Sequence, residues 1–392
     1  MTRQFEYHTL ADAEEATKLT TLQEQCFVTA PGEEQVYINW IGQENFRILR
    51  QQQQLVGGLA ILDMGQWWGG VRVPMSGIAS VGIAPEYRGD GAAIALLQHT
   101  LKELHSQGVP ISVLYPATQR LYRKAGYEQG GNYCFWEVST DSIEVREQPL
   151  PLTPISPINH QDLNHPYSQQ AKLIDGYLDR HSAIWQGILR TKNQEPIYGY
   201  LMGTAQQPQG YIIFTQERTE NGPILSVRDW VMLTPTACQS FWSFLAKHRS
   251  QIERVCWKSG AIDSLTLLLP EQTAKVRYQK RWMLRVVDVV QALSARGYPL
   301  GIEAELHLEV QDDLLAANNG KFILSVANGR GEVTKGGKGE LQLDIKGLAT
   351  LYTGFFTPTQ LQLMGKLATT TTALSAATQI FAGISPTMVD FF

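Results

Sequence analysis

The sequence predicts an α/β fold over its first two thirds and a separate α+β domain over its last third. Three observations lead to this prediction. Strand-like runs alternate with helical patterns from residue 5 onward, the same strand–loop–helix order returns after residue 197, and the pattern changes at Trp282. The chain has 392 residues, more than twice a usual domain length, so two or three domains are expected.

The first part carries the elements of one α/β domain. Strands are predicted at residues 5–10, 46–49, 55–62, 78–83 and 111–114, and helices at residues 11–27, 90–107 and 119–125. The helical stretches place apolar residues at the spacing of one helix face, and the strands are short apolar runs. The strand at residues 78–83 is followed by Pro85 and leads into the long helix.

The second part repeats this order after a proline-rich segment. Residues 148–157 favour an extended backbone, so a linker or a crossing segment is predicted there. Strands follow at residues 197–204, 210–215 and 226–233, and a helix follows at residues 238–248. The loop before this helix reads Thr-Pro-Thr-Ala-Cys, whereas the first copy is rich in glycine. Chemistry that needs bare backbone amides is therefore expected in the first copy only.

The last third has a different pattern, which is typical of an α+β domain. A helix is predicted at residues 286–295, strands at 302–308, 320–326 and 340–345, and helices beyond them. The predicted domains are therefore residues 1–147, 148–283 and 284–392.

The composition excludes several classes of protein. Apolar residues make up 43% of the chain and charged residues 18%, which argues against disorder. The net charge is −4 and there is no dense run of Lys and Arg, so nucleic acid is not an expected partner. The start of the chain has no leader pattern and no apolar stretch reaches membrane-spanning length, so a cytoplasmic protein without a membrane partner is expected.

The metal and redox signals are weak. The four cysteines lie far apart without a Cys-x-x-Cys pair, so neither disulfides nor a zinc site is expected, and they are interpreted as buried or free thiols in a reducing compartment. The eight histidines show no metal-ligand spacing. We therefore expect no metal, and the absence of a nucleophile motif predicts no covalent step on the protein.

One segment joins a strand to a helix through small residues. It runs from Val81 to Ile94 and reads Val-Gly-Ile-Ala-Pro-Glu-Tyr-Arg-Gly-Asp-Gly-Ala-Ala-Ile. Small residues let the backbone approach an anion closely, and the unpaired N–H groups and the dipole of a helix start attract negative charge. Arg88 adds a neighbouring positive charge. The segment is a candidate phosphate cradle, although such a turn taken alone is more often only a turn.

Two motifs in this part resemble one enzyme family. Arg88-x-x-Gly91-x-Ala93 after a strand resembles the acetyl-CoA signature of the GCN5-related N-acetyltransferases (GNAT). The later run from Leu121 to Tyr127, Leu-Tyr-Arg-Lys-Ala-Gly-Tyr, resembles the Leu-Tyr-x-x-x-Gly-Phe/Tyr element of the same family. The two motifs have the family's order and a plausible separation.

This resemblance implies where acetyl-CoA, the cosubstrate, would bind. Backbone amides of Val81 and Ile83 would meet the pantetheine and the thioester, and the run from Gly89 would hold the pyrophosphate. An amide aimed at the thioester oxygen would stabilise the negative charge that develops there. The cofactor-binding residues expected on this basis are Val81, Gly82, Ile83, Arg88, Gly89, Asp90, Gly91, Ala92, Ala93, Ile94, Ala117 and Thr118.

Tyr122 lies where the resemblance places a general acid that protonates the departing thiolate. A phenol with an ordinary pKa of about 10 can donate to a thiolate only when it is held closely. Without the family context, a tyrosine on a helix is more often a half-buried packing residue.

The whole chain resembles the enhanced intracellular survival (Eis) family of N-acetyltransferases, which has tandem GNAT folds, the second degenerate, followed by a sterol-carrier-protein-like domain. The segments that carry this resemblance are residues 282–289, 348–355 and the terminal Asp390-Phe391-Phe392. In that family the terminal carboxylate is the base, which here is the free carboxylate of Phe392. The alternative is a frayed terminus, against which two consecutive phenylalanines argue.

The resulting hypothesis is an N-acetyltransferase in which a primary amine attacks acetyl-CoA directly. The family implies aminoglycosides, polyamine-like amines or lysine side chains as acceptors, and a homo-oligomer such as a hexamer. Candidates for recognising the amine are Trp40, Glu33, Glu34 and Asp390. The alternative is an apolar-ligand-binding protein that uses the C-terminal domain with the GNAT domains as scaffold. The enzyme is favoured because one cradle is intact while the other is lost.

Overall fold

A computed structural model describes residues 5–190 and 195–392, so the first residues of the predicted 1–147 domain lie outside the described part. Two sheets organise the fold: a 13-stranded sheet formed by both copies of the α/β unit, and a five-stranded sheet in the last third. No helix of the described residues is long and apolar enough to cross a membrane.

The described residues of the first copy form six strands and four helices. The strands are β1 (Glu6–Thr9), β2 (Phe46–Gln51), β3 (Gln54–Trp68), β4 (Val71–Ile83), β5 (Ile111–Leu114) and β6 (Glu128–Ser139). The helices are α1 (Ala13–Phe27), α2 (Glu33–Ile41), α3 (Ala92–Ser106) and α4 (Gln119–Lys124). Alternate residues of β3 face opposite layers: Ala60 packs in the core that contains Leu19 of α1, and Leu59 packs in the core that contains Leu97 of α3.

In the second copy, seven strands and three helices are formed by the residues that the structure describes. The strands are β7 (Leu152–Ile155), β8 (Leu178–Asp179), β9 (Tyr198–Gly203), β10 (Pro208–Thr219), β11 (Gly222–Met232), β12 (Arg254–Ser259) and β13 (Lys275–Val286). The helices are α5 (His160–Ala171), α6 (Ser182–Ile188) and α7 (Pro235–Ala246). The proline-rich segment contains β7, which forms the edge of the large sheet beside β9.

The last third contains the elements α8 (Val289–Ala295), β14 (Ala304–Gln311), β15 (Gly320–Ala327), β16 (Arg330–Lys335), β17 (Leu341–Asp344), α9 (Ile345–Thr353), α10 (Pro358–Leu363), β18 (Leu367–Thr369) and α11 (Thr371–Ile380). The strand order is β16-β15-β14-β17-β18, and helices pack on this sheet as expected for an α+β domain. After α11 the chain leaves this domain, and its last residues, 386–392, return to the large sheet. We call these residues the C-terminal tail.

The two copies exchange their last strands. β13 of the second copy lies between β5 and β6, and β6 pairs with β12 on its other side. The predicted boundary between residues 283 and 284 therefore lies inside β13. The helix predicted from residue 286 begins instead at Val289, because Trp282, Met283 and Leu284 belong to a central strand that is buried on both faces.

Each copy contains a strand that bulges and then leaves its neighbour. The pairing of β3 with β4 shifts between Gly58 and Ala60, and the pairing of β10 with β11 shifts between Ile213 and Phe214. β4 pairs in parallel with β5 only over residues 75–77, and β11 with β12 only over residues 224–226. Beyond these residues, no strand of the described chain pairs with that edge of β4 or β11. Each copy therefore has a cleft with unpaired backbone groups along one side.

Candidate active site

A cavity of about 1620 Å³ lies at these clefts. Its lining comes from α1 and α2, from β4, from the segment after β5 and from β11 to β13, together with the end of the C-terminal tail. It brings together the predicted residues Val81, Ala117, Tyr122, Phe392, Trp40, Glu33, Glu34 and Asp390. The other predicted residues, Gly82, Ile83, Arg88, Gly89, Asp90, Gly91, Ala92, Ala93, Ile94 and Thr118, are not part of the lining.

The loop before α3 leaves the start of that helix open. Gly91 is the N-terminal cap residue with φ +87°, its position carries no capping side chain, and the first turn has no acidic residue. Gly89 also has φ +87°, and a Cβ added there would meet no atom within 4 Å. The first amides of a helix have no acceptor inside the helix. The loop therefore fits a phosphate group, and glycine is required by the backbone angle.

The corresponding helix of the second copy is closed. Thr234 caps α7, with its side chain accepting a hydrogen bond from the Ala237 N–H at 3.1 Å. Pro235 is the first residue of that helix and has no N–H. The contrast with α3 explains in atomic terms why only one copy offers bare amides.

Arg88 holds the loop rather than extending over it. Its Nε donates to the Ile83 carbonyl at 3.1 Å, and its guanidinium also donates to the Cys26 thiol at 3.3 Å. Its charge therefore lies at the junction of β4 and α1. From this position the positive charge of Arg88 contributes to the electrostatic potential at the start of α3, while two hydrogen bonds hold its side chain in place.

The bulge of β4 is centred on Ser80, which has φ +50°. The Gln23 side chain of α1 donates to the Ser80 carbonyl at 2.9 Å and fixes this turn of the strand. The Ser80 hydroxyl is buried without a hydrogen-bond partner among the described residues, and Ser80 lines the cavity beside Val81. The bulge therefore presents polar groups to the cleft.

Tyr122 lies on α4 and is buried, with its ring edge-to-face against Tyr127 at 6.1 Å between centroids. Burial raises the pKa of Tyr122 to about 12. Among the hydrogen bonds of the described chain, none involves its hydroxyl. The side chain therefore reaches the cavity as a neutral phenol at neutral pH.

The C-terminal tail is fixed along its length. Thr387 forms a β-bridge with Asn132 of β6, and the Tyr115 hydroxyl donates to the Met388 carbonyl. The Phe392 ring packs against Gly77, where an added Cβ would lie 2.6 Å from ring atom Cε2. Phe392 is half-buried while Phe391 is 58% exposed. The Phe392 ring therefore lies where the pairing of β4 with β5 ends.

Asp390, a candidate for recognising the amine, has an ion-pair partner within the protein. Its carboxylate accepts from Arg180 at 2.9 and 3.0 Å, and both side chains are buried. Arg180 also forms a two-pronged pair with Asp229 at 2.7 and 2.8 Å. Burial disfavours the charge, but Asp229 and Asp390 outweigh it and hold the pKa of Arg180 well above its ordinary value. Asp390 therefore anchors the tail, and its carboxylate is already engaged where amine recognition was expected.

The remaining acceptor candidates lie on α2. Glu33, Glu34 and Trp40 line the cavity, and the Arg190 guanidinium lies 4.7 Å from the centre of the Trp40 ring. Burial is the main reason why the pKa of Glu34 is raised, although the Thr29 hydroxyl, which donates to it at 3.2 Å, acts in the opposite direction. These carboxylates form the acidic side of the cavity.

Several cavity residues were not predicted from the sequence: Ser80, Tyr115, Asp229 and Lys258. Tyr115 directly follows β5, and a polar residue at the end of a strand beside a cleft could have been noticed. Asp229, Lys258 and the nearby Arg180 carry no local signal in the sequence.

The family models match nearly the whole chain in three parts. GNAT acetyltransferase domain models match residues 7–130 and 176–286, and a sterol carrier protein domain model matches residues 289–389. An uncharacterized N-acetyltransferase of Streptomyces griseus is 28% identical over 316 residues, which cover 73% of this chain and 74% of that protein. The N-acetyltransferase Eis of Mycobacterium tuberculosis is 24% identical over 315 residues, which cover 77% and 76%.

Solved structures agree with these matches. A GCN5-related N-acetyltransferase from Anabaena variabilis is 66% identical with a TM-score of 0.97, and the match covers 99% of this chain and 100% of that chain. Eis1 from Mycobacterium abscessus shares the fold, with a TM-score of 0.83 at 21% identity over 99% and 100% of the two chains. The predicted tandem GNAT folds and sterol-carrier-like domain are confirmed. The chain therefore belongs to the Eis-like GCN5-related N-acetyltransferases and is an N-acetyltransferase.

Proposed function

We propose that the enzyme moves the acetyl group of acetyl-CoA to a primary amine by direct attack, with Phe392 as base and Tyr122 as acid. One observation carries this proposal: Tyr122 and the C-terminal residue line the same cavity, beside the unpaired edge of β4. The two groups needed to take up and return a proton thus lie around one cleft.

Acetyl-CoA supplies the acetyl thioester, and GNAT enzymes use it in general. The open start of α3, from Gly89 to Ile94, is proposed to hold the pyrophosphate, with Arg88 adding positive charge. The backbone of Val81, Gly82 and Ile83 is proposed to hold the pantetheine along β4. Ala117 and Thr118, just before α4, complete this wall.

The residues of the chain then move two protons. The Phe392 carboxylate accepts a proton from the amine, directly or through a water molecule, as the C–N bond forms. The Tyr122 hydroxyl donates its proton to the sulfur as the C–S bond breaks. Burial raises the pKa of Tyr122 to about 12, so the phenol is protonated at neutral pH and can donate its proton only to a thiolate held close to its hydroxyl.

The acceptor is proposed to be an aminoglycoside, a polyamine-like amine or a lysine side chain. Glu33 and Glu34 support this proposal, because carboxylates on the cavity wall attract a cationic amine. The test is thiol release from acetyl-CoA with a panel of such amines. Release that requires both enzyme and amine is the expected result. A folded enzyme that releases no thiol with any amine of the panel contradicts the proposal.

We further propose a cytoplasmic homo-oligomer, with a hexamer as the state to test. Apolar side chains at the surface support self-association: Ile262 is 89% exposed and Leu267 85% exposed on one loop. Light scattering of the purified protein measures the mass directly. A monomer at micromolar concentration contradicts this proposal.

A further inference from the structure

The cleft of the second copy has kept its shape but has lost the means to hold a phosphate. β11 bulges and separates from β12 as β4 does from β5, yet the helix that follows is capped by Thr234 and begins with Pro235. Asp229 of β11 and Lys258 of β12 line the cavity on this side. The cleft therefore presents a carboxylate and an ammonium where the first copy has bare backbone.

Asp390 of the C-terminal tail places a second carboxylate in this cleft. The Arg180 guanidinium binds Asp229 with two hydrogen bonds and binds Asp390 with its other edge. Its Cζ atom lies 3.7 Å from the centre of the Tyr167 ring and 4.5 Å from the centre of the Trp185 ring. The planar guanidinium of Arg180 thus binds two carboxylates at its edges and stacks on aromatic rings with its face, which the ammonium of a lysine could not do.

Further hydroxyls and a second cation complete the cluster. The Tyr211 hydroxyl donates to Asp229 at 2.6 Å, and the Tyr167 hydroxyl, which donates to the Leu178 carbonyl at 2.8 Å, lies 3.3 Å from the Asp390 carboxylate. Burial lowers the pKa of Lys258, and the neighbouring cations Arg228, Lys280 and Arg180 lower it further. The nearby carboxylate of Asp390 acts in the opposite direction. Asp229 and Asp390 thus both face the Arg180 cation, Asp390 also acts on Lys258, and removing one partner would leave a buried charge uncompensated.

Close backbone approaches guide the tail toward this cluster. A Cβ added at Gly131 would lie 2.6 Å from the Pro386 carbonyl oxygen, and one at Gly176 would lie 2.8 Å from the Thr387 carbonyl oxygen. A Cβ at Gly260 would lie 2.8 Å from the Thr387 hydroxyl. Gly176 and Gly260, from separate segments, therefore leave room for the tail at Thr387, and Gly131 leaves room for both the Trp282 ring and the Pro386 carbonyl, which indicates a built groove.

The chain ends two residues after Asp390. Two extended residues span at most about 7 Å, so a fixed Asp390 restricts the terminal carboxylate to a small region of the cavity. We propose that the second copy is the seat of the C-terminal tail, and that Arg180 is the positioning residue that holds the Phe392 carboxylate at the active site through Asp390. The proposal rests on the function proposed above for Phe392.

The test combines a measurement of the tail with a measurement of turnover. Carboxypeptidase release of Phe392, followed by mass spectrometry, reports whether the tail is held and needs no activity. We expect release at least about tenfold faster in Asp390→Asn and Arg180→Met than in the wild type, because hydrogen bonds to charged groups are among the strongest. In the same variants kcat is expected to fall at least about tenfold while KM for acetyl-CoA stays unchanged, because the α3 loop is untouched.

Asp312→Asn is the matched control. Asp312 forms a buried ion pair with Arg285 at 2.6 Å and is not among the partners of the tail. The control is expected to lower stability without faster Phe392 release. Unchanged release and kcat in Asp390→Asn, or equal changes in Asp312→Asn, would overturn the proposal. A wild type that releases no thiol with any amine refutes the function proposed for Phe392, while the digestion still decides whether Arg180 holds the tail.

Discussion

Replacing Gly77 with alanine is expected to displace the terminal residue without touching a polar group. The new Cβ would lie 2.6 Å from Phe392 Cε2, 3.0 Å from Phe392 Cζ and 2.8 Å from Met64 Cε. Carbon atoms pack at roughly 3.5–4 Å, so the ring has to move by about 1 Å. Overpacking of this kind costs about 1–3 kcal/mol of stability when the neighbours cannot adjust. Here the ring belongs to the chain end and can move, so we expect the lower part of that range.

The effect on turnover is expected to be larger than the effect on stability. A misplacement of about 1 Å in a reacting group costs roughly a hundredfold in rate. We therefore expect kcat of Gly77→Ala to fall by about a hundredfold in the thiol-release assay, with KM for acetyl-CoA within about twofold of the wild type. Combining Gly77→Ala with Phe392→Ala supplies the control, because without the ring the alanine should add little further loss. Wild-type kcat in Gly77→Ala would refute the placement of Phe392.

Three further predictions follow from the site. Tyr122→Phe is expected to lower kcat by about 10²–10⁴-fold without changing the fold, as loss of a general acid does; unchanged thiol release would show that another group is the acid. Gly89→Asp is expected to raise KM for acetyl-CoA by placing a carboxylate at the start of α3, whereas Thr236→Asp in the second copy should leave KM unchanged. Equal changes of KM in the two variants would contradict a phosphate cradle in the first copy only. Since burial raises the pKa of Tyr122 to about 12, its contribution to the free energy of unfolding is fully present below about pH 10 and is lost as the pH rises toward 12. Denaturant titrations at a series of pH values measure this free energy. Its pH dependence should differ between the wild type and Tyr122→Phe only in that window.

Local patterns predicted much of the secondary structure. The strand at residues 111–114 coincides with β5, and the helix predicted at residues 90–107 corresponds to α3 at Ala92–Ser106. Both predictions need only residues that are close in the sequence, because the periodicity of a helix and the length of a buried strand are local properties. The helix predicted at residues 286–295 begins at Val289 instead, since β13 extends to Val286 and a strand buried on both faces lacks alternation.

Long-range features could not be predicted in this way. The exchange of β6 and β13 joins strands that are far apart in the sequence, and each copy alone would suggest an independent sheet. Arg180 and Asp390 are separated by 210 residues, and neither has a sequence neighbour that indicates a partner. The interpretation of Asp390 as an amine-binding group followed from its charge alone.

The candidate site was readable from the sequence where backbone conformation demands particular residues. Gly89 and Gly91 both adopt φ +87°, a conformation that favours glycine, so this backbone requirement is visible in the sequence as a glycine-rich loop. The roles of Tyr122 and Phe392 came from family resemblance, and they stay predictions here. The groove for the tail depends on Gly131, Gly176 and Gly260, which are unremarkable when each is read in its own segment.

The position of the free terminal carboxylate is the central claim, and a one-residue extension tests it most directly. Adding a glycine after Phe392 keeps every side chain of the tail but moves the carboxylate by about 3.5 Å. Amine-dependent thiol release by the wild type, with kcat at least about a hundredfold lower in the extended chain and an unchanged KM for acetyl-CoA, is the predicted result. Equal kcat in the two proteins would show that the terminal carboxylate is not the base.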